Sequence, residues 1–130
     1  MDNANVQDNR VLKYAVDFEK SEMVLHTRSE DKVLTDIVFS GVVAYLFEDT
    51  IMGCIIMDLE EWPVEDFIDY LGENYLADHQ KYDWPFEYTD LDGLKRKIAE
   101  KGITIYNLAS SYGMSGFILA KSVKFIAKEK

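Results

Sequence analysis

Apolar side chains recur at every second residue near the start of this 130-residue chain: Leu12, Tyr14, Val16 and Phe18 across residues 10–18, then Met23, Leu25 and Thr27 after a polar turn at 19–22. A period of two places successive side chains on opposite faces of an extended backbone, so these stretches are strands with one face buried. The short turn makes them an antiparallel hairpin. A third run covers residues 34–47, with Ile37 and Phe39 on one face, an interruption at Ser40 and Gly41, and renewed alternation at Val43, Tyr45 and Phe47. Glycine inside a long strand marks a bulge. Residues 51–59 are the most apolar stretch and read as a central strand.

The period then changes. Pro63 stands where a helix can start without losing a needed N–H, Glu65 and Asp66 follow in its first turn, and Phe67, Ile68, Leu71, Tyr75 and Leu76 recur at helical spacing across Gly72. A second helix covers residues 91–101, with Asp90 or Asp92 as its cap, Leu94 and Ile98 as its buried stripe and Gly102 as its stop. Residues 103–108 return to a strand, 110–116 read as a turn-rich loop, and 117–127 form the last strand. The expected fold is α+β: a mostly antiparallel sheet of about six strands in the order ββββααββ, with two helices packed on one face. Residues 1–9 hold no large apolar side chain except Val6 and are expected to be a flexible N-terminus, leaving residues 10–130 as a single domain.

With 48% hydrophobic residues the chain can bury a substantial core, and its formal net charge of −10 opposes binding to nucleic acid or anionic lipid. No apolar run is long enough to span a bilayer and the polar start lacks the order of a secretory signal, so a cytoplasmic protein without membrane contact is expected. Cys54 is the sole cysteine, which fits a reducing compartment, and its apolar neighbours make it a core residue.

The charge is uneven. Residues 58–92 carry twelve carboxylates against Lys81 as the sole base, interleaved with Trp62, Tyr70, Tyr75, Tyr82, Trp84, Phe86 and Tyr88. Carboxylates steer a basic protein into contact, and Trp and Tyr supply buried anchors. Glu60, Glu61, Glu65, Asp69 and Asp83 are the candidate steering charges, with Trp62, Tyr82 and Trp84 as anchors. The plainer alternative is that the aromatics pack helices onto the sheet while the acids form a solvated face. Residues 95–130 hold eight bases against Glu100 and Glu129; the plainer reading is charge balance against the acidic segment within the fold, the alternatives being lysines that blunt an exposed edge strand, head-to-tail contact with a second copy, or nucleic acid touching this face.

Catalytic signatures are weak. Asp58 and Glu60 share a strand face and could hold a divalent ion for a metal-dependent hydrolase or nuclease, but the motif is short and lacks a neighbouring lysine. The segment 90–93, Asp-Leu-Asp-Gly, has its glycine too early for a calcium loop and reads as a helix cap. His26 is expected to face water, and neither it nor His79 stands at metal-ligand spacing from further ligands. No catalytic residue, metal or cofactor is therefore assigned.

Three stretches together resemble a loosely defined set of small acidic Bacillus-type bacterial proteins, some of them similar to immunity proteins of polymorphic toxin loci. They are Phe-Ser-Gly-Val-Val-Ala-Tyr-Leu-Phe at 39–47, Ile-Ile-Met-Asp-Leu-Glu-Glu-Trp at 55–62, and residues 106–121 with the strand that follows. The resemblance implies a non-enzymatic α+β protein and a toxin-neutralising role, and it defines no functional residue. A protein-binding module for a basic partner is the leading expectation; the metal-dependent enzyme and a homo-oligomeric structural module are its alternatives.

Overall fold

The computed structural model describes residues 6–128. Along the chain lie β1 (Arg10–Asp17), β2 (Glu22–Arg28), β3 (Leu34–Ser40), β4 (Ala44–Glu48), β5 (Cys54–Trp62), α1 (Val64–Leu71), α2 (Glu73–Gln80), α3 (Leu91–Glu100), β6 (Thr104–Gly113), β7 (Ser115–Ala120) and β8 (Ser122–Lys128). The strands form one antiparallel sheet in the order β4-β7-β6-β5-β1-β2-β3-β8. This corrects the expected architecture: among the described residues there are eight strands and three helices, not about six and two, and strand outweighs helix by 48% to 21%.

Each difference has a local cause. The run at 34–47 breaks at Gly41, whose φ of 66° favours glycine, and a Cβ there would meet the Lys121 side chain at 2.8 Å. The last run breaks at Lys121 itself. Both breaks fall at one point of the ladder: Ser40 pairs with Ser122 and Ala44 with Leu119, so one strand carries an extra residue there. The extra residue kinks the ladder, while the alternation on either side stays the same. Gly72, at φ 86°, ends α1 and begins α2, dividing what helical spacing alone makes continuous. Residues 110–113, expected in a loop, extend β6, where Ser110 pairs with Ile56 and Gly113 with Cys54.

Lys121 alone separates β7 from β8, although they stand far apart in the strand order, so the sheet must roll round on itself. Its inner face gathers Met23, Leu25, Ile37, Phe39, Ile56, Leu59, Leu108 and Ile118 in one apolar cluster. Across it the Phe39 ring meets the Tyr106 ring at 5.4 Å. Outside, Ile105, Phe117 and Leu119 point to the helices and pack with Phe67, Ile68, Leu76, Leu94 and Ile98. Strand β7 is thus buried on both faces. Ahead of β1, Val6 is fully buried in the inner cluster and the Asn9 amide donates to Thr27 Oγ1 at 3.1 Å. The chain is engaged in the core earlier than composition suggested, and residues 1–5 of the expected flexible segment lie outside the described residues.

The roll has a weak seam. Strands β1 and β5 pair only at Arg10 and Ile55, and past that pair β1 faces the β4 side of the sheet. Contact there is by side chains, with the Tyr14 and Phe47 rings 5.4 Å apart. The far end is tied by the Val42 N–H, which donates to Ser21 O at 2.8 Å.

Candidate functional site

The helices display the acidic segment. Apolar residues of α1 at Phe67 and Ile68 turn to the sheet, so Glu65, Asp66 and Asp69 must face solvent. Helix α3 starts at Asp90, whose Oδ1 accepts from Gly93 N at 2.7 Å, which makes the 90–93 segment a cap. Of the twelve carboxylates in residues 58–92, eleven are exposed and Asp58 is half-buried.

The expected site residues divide between two places. Glu60 and Glu61 are exposed near the end of β5, and Glu65 and Asp69 are exposed one turn apart on α1. Trp62 is half-buried, its ring edge-on to Phe117 at 5.1 Å and to Tyr70 at 5.8 Å. Trp84 is likewise half-buried, its ring 5.9 Å from that of Tyr75 and 6.4 Å from that of Phe67. These tryptophans pack the helical layer. Tyr82 differs: it is 76% exposed, with the Lys81 ammonium 5.5 Å from its ring centre.

Tyr82, Asp83 and Trp84 line a cleft of about 410 Å³ that Glu60, Glu61, Glu65 and Asp69 do not reach. Its other walls are Val16, Asp17 and Phe18 of the first strand and turn, Ser21 and Glu22, and residues 42–45. Sequence reasoning missed this site, because the residues come from four segments that only the rolled sheet brings together. Phe18 was legible as part of the alternation, but at the turn it is 83% exposed.

Asp58 and Glu60 do lie on the face of β5 opposite Leu59, and Asp58 Oδ1 accepts from Leu59 N at 2.9 Å. Among the described residues no three His, Cys, Asp or Glu side chains converge as a metal-binding set. Cys54 is buried, its thiol donating to Met114 O and lying 3.3 Å from Ser110 Oγ; burial raises its pKa.

An ionic group centred on the buried Asp36 was also missed. His26, expected to face water, stands opposite Asp36 on the neighbouring strand and donates through Nδ1 to Asp36 Oδ1 at 2.8 Å. Lys128 reaches Asp36 Oδ2 at 2.7 Å. Burial raises the Asp36 pKa, but the hydrogen bonds from Lys128 and His26 outweigh it and the net direction is down.

No protein-family model matches this chain, and no curated protein or solved structure matches it. No helix among the described residues is long and apolar enough to cross a membrane.

Proposed function

We propose that this protein is a binding module for a basic protein surface. The observation that carries the reading is the exposure of eleven carboxylates within residues 58–92, where Lys81 is the sole base. Such a surface carries a negative potential that raises the local concentration of a cationic partner and speeds its encounter. Glu60, Glu61, Glu65, Asp69 and Asp83 supply charge, Trp62 and Trp84 hold the layer from beneath, and Tyr82 is the aromatic offered to the partner. The resemblance to immunity proteins suggests a toxin as that partner, with carboxylates occupying a basic cleft in place of substrate phosphates.

A lysine-rich peptide titrated against the full chain tests the reading. Binding should weaken between roughly 0.1 and 1 M salt, as the screening length shortens from about 10 to about 3 Å. It should weaken again when Glu60, Glu65 and Asp69 are together replaced by lysine. Affinity indifferent to both changes removes the basis of the reading.

A further inference from the structure

The cleft at the end of the seam tied by Val42 and Ser21 combines three features. Its walls are apolar and aromatic, with Val16, Tyr45 and Trp84 inside and the exposed Phe18 and Tyr82 at its edges. Its charged lining residues are Asp17, Glu22 and Asp83, all carboxylates. None of the three forms an ion pair among the described residues.

The placement of two of these acids is costly. Asp17 and Glu22 are direct cross-strand partners at the end of the β1–β2 ladder, and like charges directly opposite each other destabilise a sheet. Asp17 is needed by its turn, since its Oδ1 accepts from the Glu19 and Lys20 N–H groups, both at 3.0 Å. Glu22 has no such duty: no side-chain hydrogen bond of Glu22 joins it to another described residue. A local rule broken without structural gain points to function.

We propose that this cleft is the anchor site for an arginine side chain of the basic partner. The inference rests on the binding reading above and says where the partner is gripped. Arginine fits each feature at once. Its methylene stem can lie along apolar walls, its planar guanidinium can stack on an aromatic face, and its donors can serve more than one carboxylate. Entry of the cation also relieves the Asp17–Glu22 repulsion. The opposite end of the seam is lined by Arg10 and Lys13, which keeps a basic side chain at the acidic end.

The test uses the full chain and N-acetyl-arginine amide at millimolar concentrations, followed by nuclear magnetic resonance. N-acetyl-citrulline amide, its neutral near-isostere, serves as the comparison. The arginine derivative should shift the resonances of Phe18, Tyr82 and Trp84, and the citrulline derivative should not. Glu22→Gln should weaken the effect about tenfold while raising the thermal midpoint, and a merely structural role for Glu22 would not produce that combination. Asp83→Asn should weaken it similarly. Equal shifts from both derivatives overturn the proposal, as do shifts confined to α1 or no shifts at all. Salt-sensitive binding of an arginine-rich peptide that survives Glu22→Gln and Asp83→Asn unchanged also overturns the anchor site, yet leaves the binding function standing. Loss of salt-sensitive binding in the unaltered protein removes the function itself.

Discussion

The Trp62 ring stands edge-on to the Phe117 ring with centroids 5.1 Å apart, so the tryptophan closing β5 is tied to the strand that lies under the helices. Phe117 also meets Phe67 at 5.1 Å, which links β5, β7 and α1 through one aromatic group. Truncating Trp62 removes a large ring from this junction and leaves a cavity. Trp62→Ala should cost about 2–4 kcal/mol of folding stability, below the upper range for aromatic truncation because the ring is half-buried. Denaturant unfolding reads the loss. Binding of the lysine-rich peptide, measured where the variant remains folded, should change far less.

The ion-paired group around the buried Asp36 makes stability depend on acid. The Asp36 pKa lies below its ordinary value in the folded protein, so the unfolded chain takes up a proton first as pH falls. The contribution is therefore present above the unfolded pKa near 3.8 and disappears as pH drops through the lower folded value. Asp36→Asn should cost about 1–2 kcal/mol at neutral pH through weaker bonds to Lys128 and His26. The difference between the two proteins should shrink in acid below the unfolded pKa. Parallel unfolding curves across that range check the sign.

Some of this arrangement was legible in the residues and some was not. Alternation located β1 and β2 to within a residue or two; in β2 it marks one buried face with Met23, Leu25 and Thr27, whereas along β1 and its turn Leu12, Tyr14 and Phe18, expected on a buried face, are exposed. It could not show that residues 34–47 form two strands, since Gly41 interrupts the ladder while Ile37, Phe39, Tyr45 and Phe47 keep the same period. Helical spacing likewise ran across Gly72 and hid the boundary between α1 and α2. At the site, exposure of Glu65 and Asp69 followed from the apolar stripe of α1. The packing of Trp62 did not, because Phe117 lies 55 positions away in the chain. The cleft depends on residues 17, 22, 45 and 83 meeting, which is a property of strand order.

Among the described strands β4 pairs with β7 alone, and Gly116 permits that contact. A Cβ on Gly116 would fall 1.9 Å from the Leu46 carbonyl oxygen, a backbone atom that cannot swing aside. Gly116→Ala should therefore force β4 away from β7 and cost about 3 kcal/mol, the upper end for overpacking. Hydrogen exchange should show lost protection in residues 44–48 before the rest of the sheet. Retained protection there would mean that the strands adjust without parting. Because β4 supplies Tyr45 to the cleft, the same variant should also weaken the response to N-acetyl-arginine amide.

Cys54 offers a chemical readout of the same rolled sheet. Its side chain lies in the inner cluster, and burial raises the thiol pKa despite the opposing influence of Ser110 Oγ and the Met114 carbonyl. A raised pKa lowers the thiolate fraction at neutral pH, and the thiolate is the nucleophile that alkylating reagents capture. Burial adds a steric barrier. Iodoacetamide at mildly alkaline pH should therefore label the native protein slowly and the denatured protein to completion, as mass spectrometry can follow. Gly116→Ala should accelerate native labelling, because Cys54 contacts the turn between β6 and β7 through Met114. Rapid labelling of the unaltered protein at its denatured rate would show that the seam beside β5 opens freely.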